Sequence, residues 1–176
     1  MTSAGPASAG PASTGSESAR PSSASPASEA DLDGYAAAVN AWLATQVDEN
    51  PTVAAVERQD DGSVRRWVAR VEGEEKTNFA VWFALRQRSL HVETYVLPAP
   101  EENVAQTYEY LLRRNLKLHG FRFAIGAEDA VFLVGEIPVE WIDDDELDRL
   151  FGSTYAYVEQ AFRPAMRLAF ASRFQG

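Results

Sequence analysis

Tyr95-Val-Leu-Pro-Ala-Pro-Glu-Glu-Asn-Val-Ala-Gln-Thr-Tyr-Glu-Tyr-Leu-Leu-Arg-Arg-Asn115 ends a strand, turns on two prolines and opens an amphipathic helix. Leu90, Val92, Thr94 and Val96 alternate, which predicts a strand over 90–97. Pro98 and Pro100 stop it, since proline brings no N–H to a ladder but is tolerated at the first turn of a helix. Glu101 and Glu102 suit the positive end of that helix. Val104, Tyr108, Leu111, Leu112 and Leu118 form its expected buried stripe, and Gly120 its expected left-handed stop.

Upstream, a first helix is expected from about Asp31. Leu32, Tyr35, Ala36, Val39, Trp42, Leu43 and Val47 follow helical spacing, Ser28 or Asp31 serves as cap, and Asn50-Pro51 forces an end. The period then changes to two. A short strand over 53–58, a turn at Asp60-Asp61-Gly62, strands over 64–71 and 78–85, and a reversal at Arg86-Gln87-Arg88 describe an antiparallel meander. Downstream, a hairpin over 121–125 and 130–135 turns at 126–129. The run Val131-Phe132-Leu133-Val134 predicts a strand covered on both faces. A last helix starts in Asp143-Asp144-Asp145-Glu146, and Pro164 is expected to kink or break it. Strands grouped between helices, without βαβ alternation, place the chain in the α+β class. The expected architecture is an antiparallel sheet, meander plus hairpin, with helices on one face, in the order α-β(3-4)-α-β-β-α.

Residues 1–30 are nearly all Ser, Ala, Pro, Gly and Thr, with Ala-Gly-Pro-Ala-Ser at 4–8 and again at 9–13. Such a segment buries too little to offset ordering, at roughly 1–2 kcal/mol per residue, and reads as a flexible tail. Residues 31–172 fit one domain. With no Cys, thiol catalysis, disulfides and thiolate zinc sites are excluded. The lead segment has no apolar core of signal-peptide length, so a cytoplasmic location without a membrane span is expected. A formal net charge of −10 is poorly suited to a phosphate backbone and argues against nucleic acid. The local basic spots at Arg65-Arg66, Arg86, Arg88 and Arg113-Arg114 read as solvated faces or local ion pairs.

The element order resembles the class I type III secretion chaperone fold. The motifs Val96-Leu-Pro-Ala-Pro-Glu-Glu-Asn103, Leu111-Leu-Arg-Arg-Asn115, Phe123-Ala-Ile-Gly126, Leu133-Val-Gly-Glu-Ile-Pro138 and Leu147-Asp-Arg149 are similar to those of actinobacterial members of the YbjN family. These are bacterial proteins with that fold and no settled activity. The resemblance implies a homodimer that holds other polypeptides, or a regulatory adaptor, with no cofactor and no catalytic residue. The strand at 53–58 and the Pro/Ala/Ser tail depart from the secretion chaperones, so a secretion role does not carry over.

The sharpest candidate site is the sheet's second face. Alternation gives three sets: Trp67 with Ala69, then Ala80, Trp82 and Ala84, and finally His91, Glu93 and Tyr95. If helices cover Phe79, Val81, Phe83 and Leu85, the aromatic set faces away and offers roughly 450–600 Å², at the upper end of what a monomer exposes. A client polypeptide, a second subunit or the chain's own helix are its three candidate covers. An edge strand is a further place for an extended client.

His91 and Glu93 share a side of one strand but stand about 7 Å apart as i, i+2 neighbours, and no nucleophile is joined to them by spacing. His119 reads as a cation at a helix carbonyl end. Arg113 and Arg114 are candidate anion contacts, with Glu109 the competing partner. The acidic run 143–146 lacks the alternating layout of a calcium loop and reads as helix-start chemistry, so no metal site is expected. The alternative to protein binding is a small-ligand sensor or an enzyme with a pocket between sheet and helices. A subunit whose open face serves only to dimerise is a third reading.

Overall fold

The computed structural model describes residues 26–62 and 64–174. Most of the tail expected over 1–30 lies outside the described residues. Residues 28–30 belong to the start of the first helix, α1 (Glu29–Glu49). Ser28 and Asp31 form a capping box: the Ser28 hydroxyl oxygen accepts from the Asp31 N–H at 3.2 Å, and the Ser28 N–H donates to the Asp31 carboxylate at 3.1 Å. The Ser28 hydroxyl also donates to that carboxylate at 2.6 Å, and this bond, with the backbone one, holds the Asp31 carboxyl below its ordinary range. At the other end the Asn50 N–H donates to the carbonyl of Gln46.

Six strands follow: β1 (Val53–Arg58), β2 (Arg65–Glu72), β3 (Asn78–Leu85), β4 (Ser89–Leu97), and then, after helix α2 (Val104–Asn115), β5 (Phe121–Ile125) and β6 (Val131–Pro138). They form one sheet in the order β1-β2-β3-β4-β6-β5, and every pairing is antiparallel. The expected strand at 53–58 is therefore the edge strand β1. The hairpin returns with β6 against β4 and leaves β5 at the other edge. Helix α3 (Asp144–Ala169) completes the chain.

All three helices contribute to one core on one side of the sheet. Trp67, Ala69, Val71, Phe79, Val81, Phe83, Leu85, Leu90, Val92, Phe121, Phe123, Leu133 and Ile137 meet Leu43 of α1, Leu111 of α2 and Leu150 and Val158 of α3. Trp42 of α1 stands edge-on between Phe83 and Phe151, 5.9 Å from each ring centre, and its indole N–H donates to Asp148 of α3 at 2.8 Å. Phe121 lies so close to β6 that a Cβ on Gly135 would meet its ring at 2.5 Å. Glycine at that position makes room for the aromatic side chain.

Four expectations are corrected. Pro164 does not break α3, which runs unbroken from Asp144 to Ala169. Outside contacts hold that end. Glu159 accepts from the backbone N–H groups of Glu74, Glu75 and Lys76 at 2.9, 2.7 and 3.1 Å, Arg163 pairs with Glu75, and the Ala169 carbonyl accepts from the N–H of Glu101 and Glu102. Second, α2 stops at Asn115, five residues before Gly120. The Asn115 side chain instead accepts the Phe123 N–H at 2.8 Å and donates to the Phe123 carbonyl at 3.3 Å. Gly120 (φ 74°) makes the turn into β5, and His119 lies beyond the helix it was expected to end. Third, the buried stripe of α2 is Thr107 and Leu111, with Val104 and Leu112 exposed. Fourth, β6 is interior to the sheet, yet helices cover one of its faces only.

Candidate functional site

Cross-strand register defines the second face residue by residue. One row across the sheet reads Glu57, Val68, Trp82, Glu93, Val134 and Arg122. A second row holds Arg66, Ala84, His91 and Glu136. Tyr95 opposite Phe132 and Ala124 belongs to a third. Val68 and Val134 are buried but stand outside the core cluster formed beneath the helices. Their cross-strand neighbours shield them, and among the described residues no helix covers this side.

Trp67 does not belong to it. Trp67 pairs with Phe83, so it shares the helix-covered side, where it is 1% exposed and donates its indole N–H to Asn40 of α1 at 2.6 Å. The sequence carried the signal that decides this. The complementary set of β2 is Arg66, Val68, Arg70 and Glu72, whose charges require solvent, so Trp67, Ala69 and Val71 must be the covered set. Trp82, His91, Glu93 and Tyr95 do lie together on the open side.

Tyr95, 41% exposed, meets Phe132 edge-on at 5.6 Å, an aromatic partner missed from sequence because only the β4–β6 register brings the two together. The Lys76 ammonium lies 5.2 Å from the Tyr95 ring centre and 4.7 Å from that of Phe162, and donates to the Val96 carbonyl at 2.8 Å. Burial holds it below the usual lysine range. Burial, reinforced by Glu128, pushes the Tyr95 phenol up. The ring is thereby fixed from two sides and presents its remaining surface outward.

His91 and Glu93 lean toward each other, with Nε2 and Oε2 at 3.3 Å, closer than strand spacing alone allows. They form one wall of a cleft of about 140 Å³ whose other lining includes Arg66, Trp82, Ala84 and Arg86. Arg113 and Arg114 are not part of this face. Arg113 donates twice to Glu109, at 2.8 and 2.6 Å, and Arg114 donates to Gln160 at 3.0 Å. Among the described residues no group of three or more His, Asp or Glu side chains is placed to hold a metal ion, and no helix is long and apolar enough to cross a membrane.

A second surface escaped the sequence reading. Leu112 is 64% exposed, Leu116 89% and Ile125 54%. Leu112 and Ile125 border an apolar groove of about 250 Å³ between α2 and β5, lined also by Tyr108, Phe123 and Val131, and Leu116 stands just past the end of α2. Leu112 and Leu116, spaced i, i+4, both face outward, beside the half-buried Tyr108. The edge of β5 beside it is blocked at Phe123 by the Asn115 amide, which protects against strand addition there.

Comparison with known proteins places this architecture. Uncharacterized proteins of Mycobacterium tuberculosis and Mycobacterium bovis are each 31% identical over 108 residues, 61% of this chain and 59% of theirs. A Mycobacterium leprae protein is 31% identical over 110 residues, 62% of this chain and 60% of its own length. The chain thus matches about three-fifths of the length of these relatives. Among solved structures, an uncharacterized protein from Methanothermobacter thermautotrophicus superposes with a TM-score of 0.50 at 14% identity, covering 80% of this chain and 99% of that one. A chain of the heterodimeric ExoU-SpcU complex from the type III secretion system of Pseudomonas aeruginosa gives 0.46 at 15% identity, covering 72% and 98%. The archaeal likeness is one of fold. The model of the YbjN family, described as "Putative bacterial sensory transduction regulator", matches residues 35–165, and the chain belongs to that family.

Proposed function

We propose that this protein is a non-catalytic, cytoplasmic adaptor that binds a segment of another polypeptide across the open face of its sheet, and that it works as a homodimer. One observation carries the reading: Trp82, Tyr95 and Phe132 lie on a sheet face that no helix covers among the described residues. Rigid aromatic side chains lose little entropy on binding and are the usual anchors of interfaces. A small-ligand site has less to stand on. The groove beside α2, about 250 Å³, is apolar apart from the Tyr108 hydroxyl, and the larger cleft of about 350 Å³ between α1 and the β1–β2 edge, lined by Asn40, Leu43, Val47, Asp48, Arg58 and Trp67, brings together no cluster of His, Asp or Glu among the described residues.

The dimer is assigned to the α2–β5 surface, which leaves the open face to the client. A two-fold axis across α2 sets the helix antiparallel to its copy and brings the exposed Leu112 and Leu116 against their counterparts. Burying Leu112, Leu116 and Ile125 adds about two full branched side chains per protomer, worth roughly 3–6 kcal/mol. Doubled by symmetry, that matches an association cost of about 4–15 kcal/mol.

Two substitutions test the two halves of the reading. Trp82→Ser is expected to abolish capture of partner proteins from the native cell while leaving sedimentation unchanged. Leu112→Ser with Leu116→Ser is expected to give a monomer that still captures partners. Undiminished capture by folded Trp82→Ser refutes the open face as the client site. A Trp82→Ser monomer shows instead that this face joins the subunits.

A further inference from the structure

Among the described residues Arg86, Arg88 and Arg122 have no partner, in a chain that is acidic overall. Among the described residues none of them has a carboxylate within 4.0 Å or a side-chain hydrogen bond, whereas eight other arginines each reach a carboxylate. Arg167, in the last turn of α3, likewise has none among the described residues. The other three gather at one end of the sheet. Arg86 and Arg88 flank the β3–β4 turn, and Arg122 faces Val134 on the open side of β5.

Shared clefts connect them into one line. Arg86 borders the Trp82 cleft together with Arg66. Arg86 and Arg88 border the next depression, at the end of the sheet, with Ser89, Glu136 and the Glu29 and Leu32 side chains of α1, and Arg88 and Arg122 the one after. The opposing carboxylates on this stretch are Glu93, held by His91, Glu136, and Glu29, which Arg65 holds at 3.1 Å, while Arg66 has a loose 3.4 Å contact to Asp61. Positive charge is therefore in excess at this end, although the chain as a whole carries −10. From β3 to β5 is three interstrand spacings, about 14 Å, which four or five extended residues cover.

We propose that the open face selects an acidic polypeptide segment. An apolar side chain of the segment lies on Trp82, and two or three of its carboxylates pair with Arg86, Arg88 and Arg122. The inference rests on the reading of this face as a polypeptide site and supplies the chemistry of the partner. Guanidinium forks match carboxylates in geometry as well as charge, and such bonds are about twice as strong as neutral ones. A peptide with a few carboxylates fits the number of free arginines. A nucleic acid does not, because its repeating phosphates meet the field of an acidic protein with only a short positive line to offset it.

The test uses the full chain and calorimetric titration with three octapeptides of one Gly/Ser scaffold, each holding two Phe and either three Glu, three Gln or three Lys. The Glu peptide is expected to bind at least tenfold more tightly than the Gln peptide, the Lys peptide not at all. Arg86→Gln with Arg88→Gln and Arg122→Gln is expected to erase the preference without changing the melting temperature, since these side chains hold nothing in the fold. Equal binding of Glu and Gln peptides, abolished by Trp82→Ser, overturns the acidic preference and leaves the polypeptide site standing. Glu-peptide binding unchanged in the triple variant also overturns the preference. Displacement of the Glu peptide by an eight-nucleotide single-stranded RNA assigns the arginines to nucleic acid and overturns it too. If no peptide binds and Trp82→Ser captures cellular partners as wild type does, the reading of the face falls with the inference.

Discussion

Two tryptophans on adjacent strands make opposite demands on the fold, and exchanging each for alanine separates them. Trp67 is fully enclosed beneath α1, gives its N–H to Asn40, and carries the Arg58 guanidinium 5.7 Å from its ring centre. Its removal leaves a cavity and costs about 3–5 kcal/mol. The Asn40 carbonyl, stripped of its donor, adds about 1 kcal/mol. A domain of this size has about 5–15 kcal/mol in all, so Trp67→Ala is expected to lose about a quarter or more of it. Trp82 is half-buried on a face open to solvent, and its substitution costs about 1 kcal/mol, half or less of a full burial. Urea unfolding followed by far-ultraviolet circular dichroism reads both, without reliance on the fluorescence of the residues removed. Equal losses for the two variants refute the assignment of faces, as does a loss under about 1 kcal/mol for Trp67→Ala.

Two further outcomes follow from contacts at the margins of the core. Glu159→Ala strips three backbone N–H groups of their acceptor and is expected to cost about 1–3 kcal/mol. Hydrogen exchange should then show Glu74–Lys76 losing protection before α1 does. Glu102 accepts from the Ser172 hydroxyl at 2.6 Å and from its N–H at 3.1 Å, which holds its carboxyl below the ordinary 4.5. A carboxyl lowered in the folded state contributes stability above its unfolded value and loses it as pH falls through the folded one. Ser172→Ala is therefore expected to be less stable than wild type at pH 7, with the gap closing below pH 4.5 in acid titrations.

Much of the architecture was legible from the chain because local signals agreed with the final packing. The alternation Phe79-Val81-Phe83-Leu85 gave both the strand and its covered side, and Asn50-Pro51 marked a real helix end. What was missed depended on partners distant in sequence. Pro164 is a helix breaker by its own chemistry, but Glu159, Arg163 and Ala169 anchor its helix on both sides of it. Asn115 ends α2 because its amide has a strand to bind eight residues later. Trp67 was misassigned because alternation within a strand names two sets without saying which one faces helices. The charges on Arg66 and Arg70 answer that question, and pairing with Phe83 agrees. Phe132 and Arg122 joined the candidate site only through the order β4-β6-β5, which nothing local in those segments specifies.

The central claim is that the aromatic open face meets a partner polypeptide, and fluorine NMR of the 5-fluorotryptophan-labelled protein tests it most directly. The four tryptophans give separate probes: Trp42 and Trp67 in the core, Trp82 on the open face, and Trp141 exposed before α3. Adding a partner recovered by affinity capture is expected to move the Trp82 resonance and leave those of Trp42, Trp67 and Trp141 in place. A bound partner that leaves Trp82 unmoved contradicts the account.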